Sequence, residues 1–125
     1  AAPSEDYMSA RQLAFFRRRL LGEEQALLAA VKETAGHLQQ AETSSDWSDR
    51  ASTEEEHTLE LRVRDRERKL LQKIREALRR IDDGSYGWCE ETGEAIGLAR
   101  LLARPTAALC LEAQERREQT KRRFA

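Results

Sequence analysis

Apolar residues recur at helical spacing along two long stretches of the chain. The first stretch, Leu13, Phe16, Leu20, Leu27, Val31, Ala35 and Leu38, predicts a helix from about Leu13 to Glu42. The second, Leu59, Val63, Leu70, Ile74, Ala77 and Ile81, predicts another. Between them "TSSDWSDRAST", Thr43 to Thr53, is polar and aperiodic. Ser52 or Thr53, followed by Glu55 or Glu56, reads as a capping box that opens the second helix. Glu54, Glu55 and Glu56 then lie at the positive end of its dipole. Asp82-Asp83-Gly84-Ser85 closes that helix.

Two helices of this length joined by a short polar turn predict an antiparallel coiled-coil hairpin over residues 1–83, each arm about 45 Å long at 1.5 Å per residue. A register in which facing positions add up to 94 pairs Leu13 with Ile81, Leu20 with Ile74, Val31 with Val63 and Ala35 with Leu59. It leaves Arg17 opposite Ala77, Glu24 opposite Leu70 and Leu27 opposite Glu67. Its midpoint is residue 47, so the tip spans about residues 43–51 with Trp47 at its end.

After Gly84 the pattern becomes short and broken by turns. Residues 84–97 predict a knuckle or tight hairpin, Gly97 to Ala103 a short helix, and Leu111 onward a basic C-terminal helix. A lobe of roughly forty residues cannot bury enough apolar surface alone. Tyr86, Trp88, Ile96, Leu98, Leu101, Leu102 and Leu109 are therefore expected to pack on the base of the hairpin near Leu13, Phe15 and Phe16. The fold class is mainly α, with a long hairpin and a small degenerate zinc-finger-like lobe over residues 84–125.

Composition agrees with this picture and narrows the function. Charged residues make up 36% of the chain and aromatic residues 6%, the mix of long helices. The net charge of -1 favours neither nucleic acid nor an anionic membrane surface. No apolar run approaches membrane-spanning length and no signal peptide precedes the first helix. Two cysteines fit a reducing cytosol better than a secreted disulfide scaffold.

Three places carry candidate chemistry. At the tip, Asp46 and Asp49 flank Trp47, and helix capping accounts for one of those acids but not for both with an indole. On the second helix, Arg62, Arg64, Arg66, Arg68 and Lys69 alternate with Glu60, Asp65 and Glu67, the pattern of a solvated helix face or of a docking strip for a protein. In the lobe, Cys89-Glu90-Glu91-Thr92 and Cys110-Leu111-Glu112-Ala113 occupy the spacing of two Cys-x-x-Cys pairs with half the thiols missing. His37 and His57 belong to the hairpin, so no metal site is expected. Cys89 and Cys110 then serve as small buried hydrophobes, or as a thiol pair that closes a disulfide on oxidation.

Taken together, "YM…QLAFFRRRL", "DWSDRA", "EEEHTLELRVRDRERKL" and "YGWCEETGEAIGLARLLARPTAALC" resemble the DksA/TraR family of bacterial RNA polymerase regulators over nearly the whole chain. The missing cysteines resemble its zinc-independent members. The resemblance implies a cytoplasmic monomer, not an enzyme, whose coiled coil enters the secondary channel of RNA polymerase. Asp46, Asp49 and Ala51 match the family's tip residues, and Arg62 and Arg66 its polymerase-contacting arginines. Leu70, Lys73 and Arg104 stand where the family contacts ppGpp at the polymerase interface; Gln114 stands where a lysine contributes. The implied outcome is destabilised open promoter complexes in the stringent response, with ribosomal RNA promoters inhibited and amino-acid biosynthesis promoters activated. Neither zinc nor sequence-specific DNA binding is implied. Two alternatives stay open: a Gre-like transcript cleavage factor, which also carries acids on a coiled-coil tip, and a thiol redox-responsive coiled-coil regulator.

Overall fold

The computed structural model describes the backbone of residues 6–42 and 47–123 and the side chains of residues 6–36 and 54–123. Four helices follow in order: α1 (Ala10–Glu42), α2 (Trp47–Asp83), α3 (Leu98–Ala103) and α4 (Leu111–Arg123). Among the described residues the single β feature is a bridge between Trp88 and Ala95. The architecture is mainly helical, with a long helical hairpin formed by α1 and α2.

Local chemistry sets the helix ends. The Gln12 N–H donates to Ser9 Oγ at 3.2 Å, and Gln12 Oε1 accepts from the Met8 N–H at 2.6 Å. This reciprocal cap starts α1 three residues ahead of the apolar pattern. At the far end of α2, Gly84 has φ 85° and lets the Ser85 and Tyr86 N–H groups return to the Arg80 carbonyl at 3.0 and 3.1 Å. Glu112 opens α4 and Lys121, Arg122 and Arg123 end it, in accord with the helix dipole.

The start of α2 is corrected. It begins at Trp47, not at a capping box on Ser52 or Thr53, so Asp49 and Ala51 lie in its first turns.

The chain forms two compact units, one of residues 1–21 with 74–125 and one of residues 22–73. Among the described residues the first holds every buried apolar side chain: Phe16, Leu20 and Leu101 are fully enclosed, and Ile74, Ala77, Ile81 and Leu109 are buried too. Tyr86 tilts against Phe16 at 5.5 Å between ring centres and donates its hydroxyl proton to the Pro105 carbonyl at 2.7 Å. Tyr7 reaches across the same unit. Its hydroxyl donates to the Gly87 carbonyl at 2.6 Å and accepts the Gly97 N–H at 3.0 Å, and its ring meets Trp88 edge-on at 5.2 Å. Gly87 has φ 91°, and a Cβ there would lie 2.7 Å from the Met8 side chain, so the close approach of the two segments requires glycine. Of the expected lobe core, Tyr86, Ile96, Leu101 and Leu109 are buried with Phe16, whereas Trp88, Leu98, Leu102 and Phe15 are exposed.

The pairing register also differs from the one expected. In the first unit Arg17 pairs with Asp82 instead of facing Ala77. In the second, Thr34 Oγ1 lies 3.0 Å from Glu67 Oε1, where the register of 94 set Leu27 opposite Glu67. Both contacts place the partner five to seven positions farther along α2. Leu59, Val63 and Leu70, assigned to the interface by that register, are exposed. The seven-residue difference at Thr34 is about two turns and returns a helix to nearly the same face, so heptad-like spacing alone separates such registers poorly.

Candidate functional site

In the unit of residues 22–73, α2 presents Arg62, Asp65, Arg66, Lys69, Leu70 and Lys73 around an open depression of about 410 Å³. These positions fall within one stripe of a 3.6-residue helix, and all six side chains are exposed. The acids that appear interleaved in the sequence do not cancel this stripe. Glu67 turns inward, buried, and its carboxylate meets the Thr34 hydroxyl, which also contacts the Ala30 carbonyl at 3.0 Å. Four cations and a single carboxylate therefore line the depression. Linear alternation of charge hid this sorting; reading the strip in steps of three and four would have found it.

Arg62, Arg66, Leu70 and Lys73, assigned to two separate roles by resemblance, thus share one face. Arg104 belongs to the other unit, at the C-cap of α3, where its N–H donates to the Arg100 carbonyl at 2.8 Å. Gln114 lies in that unit too, beside Glu91, Arg117 and Lys121, and its amide donates to Glu118 Oε1 at 3.2 Å. Asp46 lies outside the described residues, as do the side chains of Trp47, Asp49 and Ala51.

Backbone hydrogen bonds hold the knuckle together. The Cys89 N–H donates to the Glu94 carbonyl at 2.7 Å, the Gly93 N–H to the Cys89 carbonyl at 2.9 Å, and the Glu90 N–H to the Ala108 carbonyl at 2.9 Å. Cys89 is 3% exposed, Cys110 8% and Ala113 0%. Thr92 Oγ1 lies 3.8 Å from Cys110 Sγ and accepts the Glu94 N–H at 3.2 Å. Burial pushes the Cys89 thiol up, but the Thr92 hydroxyl and the N–H groups of Cys110, Thr92 and Glu91 outweigh it and bring the pKa down to about 6. Structural zinc takes four donors, usually thiolates and imidazoles. Here the four corresponding positions supply two thiols, a hydroxyl and a methyl, and no three His, Cys, Asp or Glu side chains gather among the described residues. This donor set does not fit structural zinc.

Residues 12–81 match the family model described as "DnaK suppressor protein DksA, N-terminal domain", and residues 84–119 match "Prokaryotic dksA/traR C4-type zinc finger". The chain belongs to the DksA family. Over 96% of its length it is 56% identical to the RNA polymerase-binding transcription factor DksA of Caulobacter vibrioides, of which it covers 87%. Its identity to the Escherichia coli K12 protein of the same name is 49%, over 88% of this chain and 74% of that one. Among solved structures, transcription factor DksA2 of Pseudomonas aeruginosa superposes with a TM-score of 0.89 at 51% identity, covering 95% of this chain and 94% of that one. The zinc-finger match thus spans a knuckle in which Thr92 and Ala113 stand at two of the four cysteine positions.

Proposed function

We propose that this protein is a transcription regulator that binds RNA polymerase, acts from the secondary channel in the cytoplasm, and does so as a monomer without zinc and without covalent chemistry of its own. What carries this reading is the 56% identity, over 96% of the chain, to a protein named for polymerase binding. The cationic stripe of α2 supports it, because four exposed cations around one leucine suit a carboxylate-bearing protein surface and a polyphosphate alike.

In this reading Arg62 and Arg66 dock on the polymerase, and Leu70, Lys73 and Arg104 contact ppGpp at the shared interface. Gln114, neutral where a lysine would add charge, weakens the nucleotide's hold. Asp46, Asp49 and Ala51 act after docking, through charge and hydrogen bonds near the catalytic magnesium and its water shell. The consequence is a shorter-lived open complex, with ribosomal RNA promoters inhibited and amino-acid biosynthesis promoters activated.

The test is in-vitro transcription from a ribosomal RNA promoter, with and without ppGpp, comparing wild type with Asp49→Asn. Wild type is expected to inhibit, and more strongly with ppGpp. Asp49→Asn is expected to lose inhibition while keeping its polymerase affinity. Undiminished inhibition by the variant would overturn the role of the tip, and rapid RNA cleavage in backtracked complexes would replace regulation with a Gre-like activity.

A further inference from the structure

A second surface, in the unit of residues 1–21 and 74–125, has no part in the reading above. Phe15, Phe16, Leu98 and Leu102 line an apolar groove of about 440 Å³, with Arg11 and Arg18 among its walls. Phe15 is 43% exposed, Leu98 38% and Leu102 46%, although all three were natural candidates for the core of this lobe. Phe15 is held in place by its edge-on contact with Phe16, 5.2 Å between ring centres. The opposite wall is fastened as well, since Arg19 donates to the carbonyl of Leu102.

The two walls have the periodicity of a helix-binding surface. On α1, residues 11, 15 and 18 follow one another at i, i+4 and i+7, so a guanidinium, a phenyl ring and a second guanidinium share a face. On α3, Leu98 and Leu102 stand one turn apart. Apolar spots repeated at the pitch of a helix accept the i, i+3, i+4 and i+7 anchors of an amphipathic helix. Charge specifies the occupant further. Arg11 and Arg18 are the charged residues that line the groove, and no acid does.

We propose that this groove docks an acidic amphipathic helix of a protein partner, with apolar anchors on Phe15, Leu98 and Leu102 and carboxylates beside Arg11 and Arg18. The α1 wall gives the pairing its sign, and the α3 wall gives it apolar area. The interaction is independent of the cationic stripe on α2, so loss of one leaves the other standing.

The test is NMR titration of the isotopically labelled full chain with a synthetic, hydrocarbon-stapled helix of about eighteen residues, long enough to stay helical. Its leucines stand at i, i+4, i+7 and i+11, with glutamates on both flanks; a matched peptide carries lysines instead. Saturable shifts are expected at Phe15, Leu98 and Leu102, with affinity at least about fivefold lower for the lysine peptide or for Arg18→Glu. The lysine peptide is expected to regain affinity on Arg18→Glu, because the charges then match. Phe15→Ser removes an anchor, and a thermal melt confirms that each variant is folded. The proposal fails if no saturable shifts appear by about 1 mM, or if both peptides bind alike. It also fails if sedimentation shows a second copy of the chain covering the groove, or if anionic phosphatidylglycerol vesicles shift these residues while the glutamate peptide does not.

Discussion

Thr92 brings a hydroxyl to the knuckle at one of the four positions where a C4-type finger carries cysteine. Its hydroxyl stands between two buried sulfurs, 3.8 Å from that of Cys110 and within hydrogen-bonding reach of that of Cys89. Ala113, fully enclosed, fills the fourth corner with a methyl group. The knuckle is thereby closed by packing and hydrogen bonds, so EDTA is expected to leave the melting temperature unchanged and metal analysis to find well under one zinc per chain. A stoichiometric zinc signal would contradict this.

The lowered Cys89 pKa has a definite sign for stability. A thiol held at about 6 when folded, against its ordinary value of 9.0, favours the folded state once ionised. That contribution is fully present above about 9 and is lost as pH falls through about 6. Wild type should therefore gain stability over Cys89→Ser as pH rises from 6 to 9, alongside a rise in ultraviolet thiolate absorbance centred near 6. Parallel stability curves would show that the hydrogen bonds to the sulfur are not holding it ionised. The sequence disclosed the missing ligands directly, but not the second use of Thr92, because bonding to sulfur depends on how the knuckle folds.

At the scale of elements, periodicity disclosed both arms of the hairpin, and the glycines disclosed the broken lobe. It did not disclose register. Spacings of three, four and seven fit more than one alignment, and polar contacts, Arg17 with Asp82 and Thr34 with Glu67, depart from the expected one. Nor did it disclose which lobe residues face outward, since Leu98 and Leu101 look alike in a string of letters. The clamp made by Tyr7 was equally hidden, because its partners are backbone groups of Gly87 and Gly97, eighty and ninety positions away. Tyr7→Phe removes both bonds and is expected to cost about 1–2 kcal/mol, measured by urea unfolding. Phe16→Ala, which opens a cavity beneath Tyr86, is expected to cost about 3–5 kcal/mol. A loss below 1 kcal/mol for Phe16→Ala would mean that the ring is not part of the core.

For the whole molecule, net charge proved a poor guide to binding. A chain at -1 still concentrates four cations around one depression on α2, because Glu67 is withdrawn into the helix pair. Arg62→Glu with Arg66→Glu is expected to weaken polymerase binding by about tenfold or more, chiefly at low salt, when the variant competes with wild type for the enzyme. Equal competition would remove α2 from the docking surface. The site residues of α2 could be numbered from the resemblance alone; that they form one cationic face required the fold.

The unit that holds the buried core among the described residues is built from residues 1–21 and 74–125, two segments separated by the whole of the other unit. During synthesis the early segment leaves the ribosome long before the residues that will cover Phe16 exist. Until residues 86–97 have emerged, that aromatic surface and the hydroxyl of Tyr7 lack their eventual neighbours. A ribosome that stalls within α2 therefore releases a chain with an incomplete core, readily recognised by proteases.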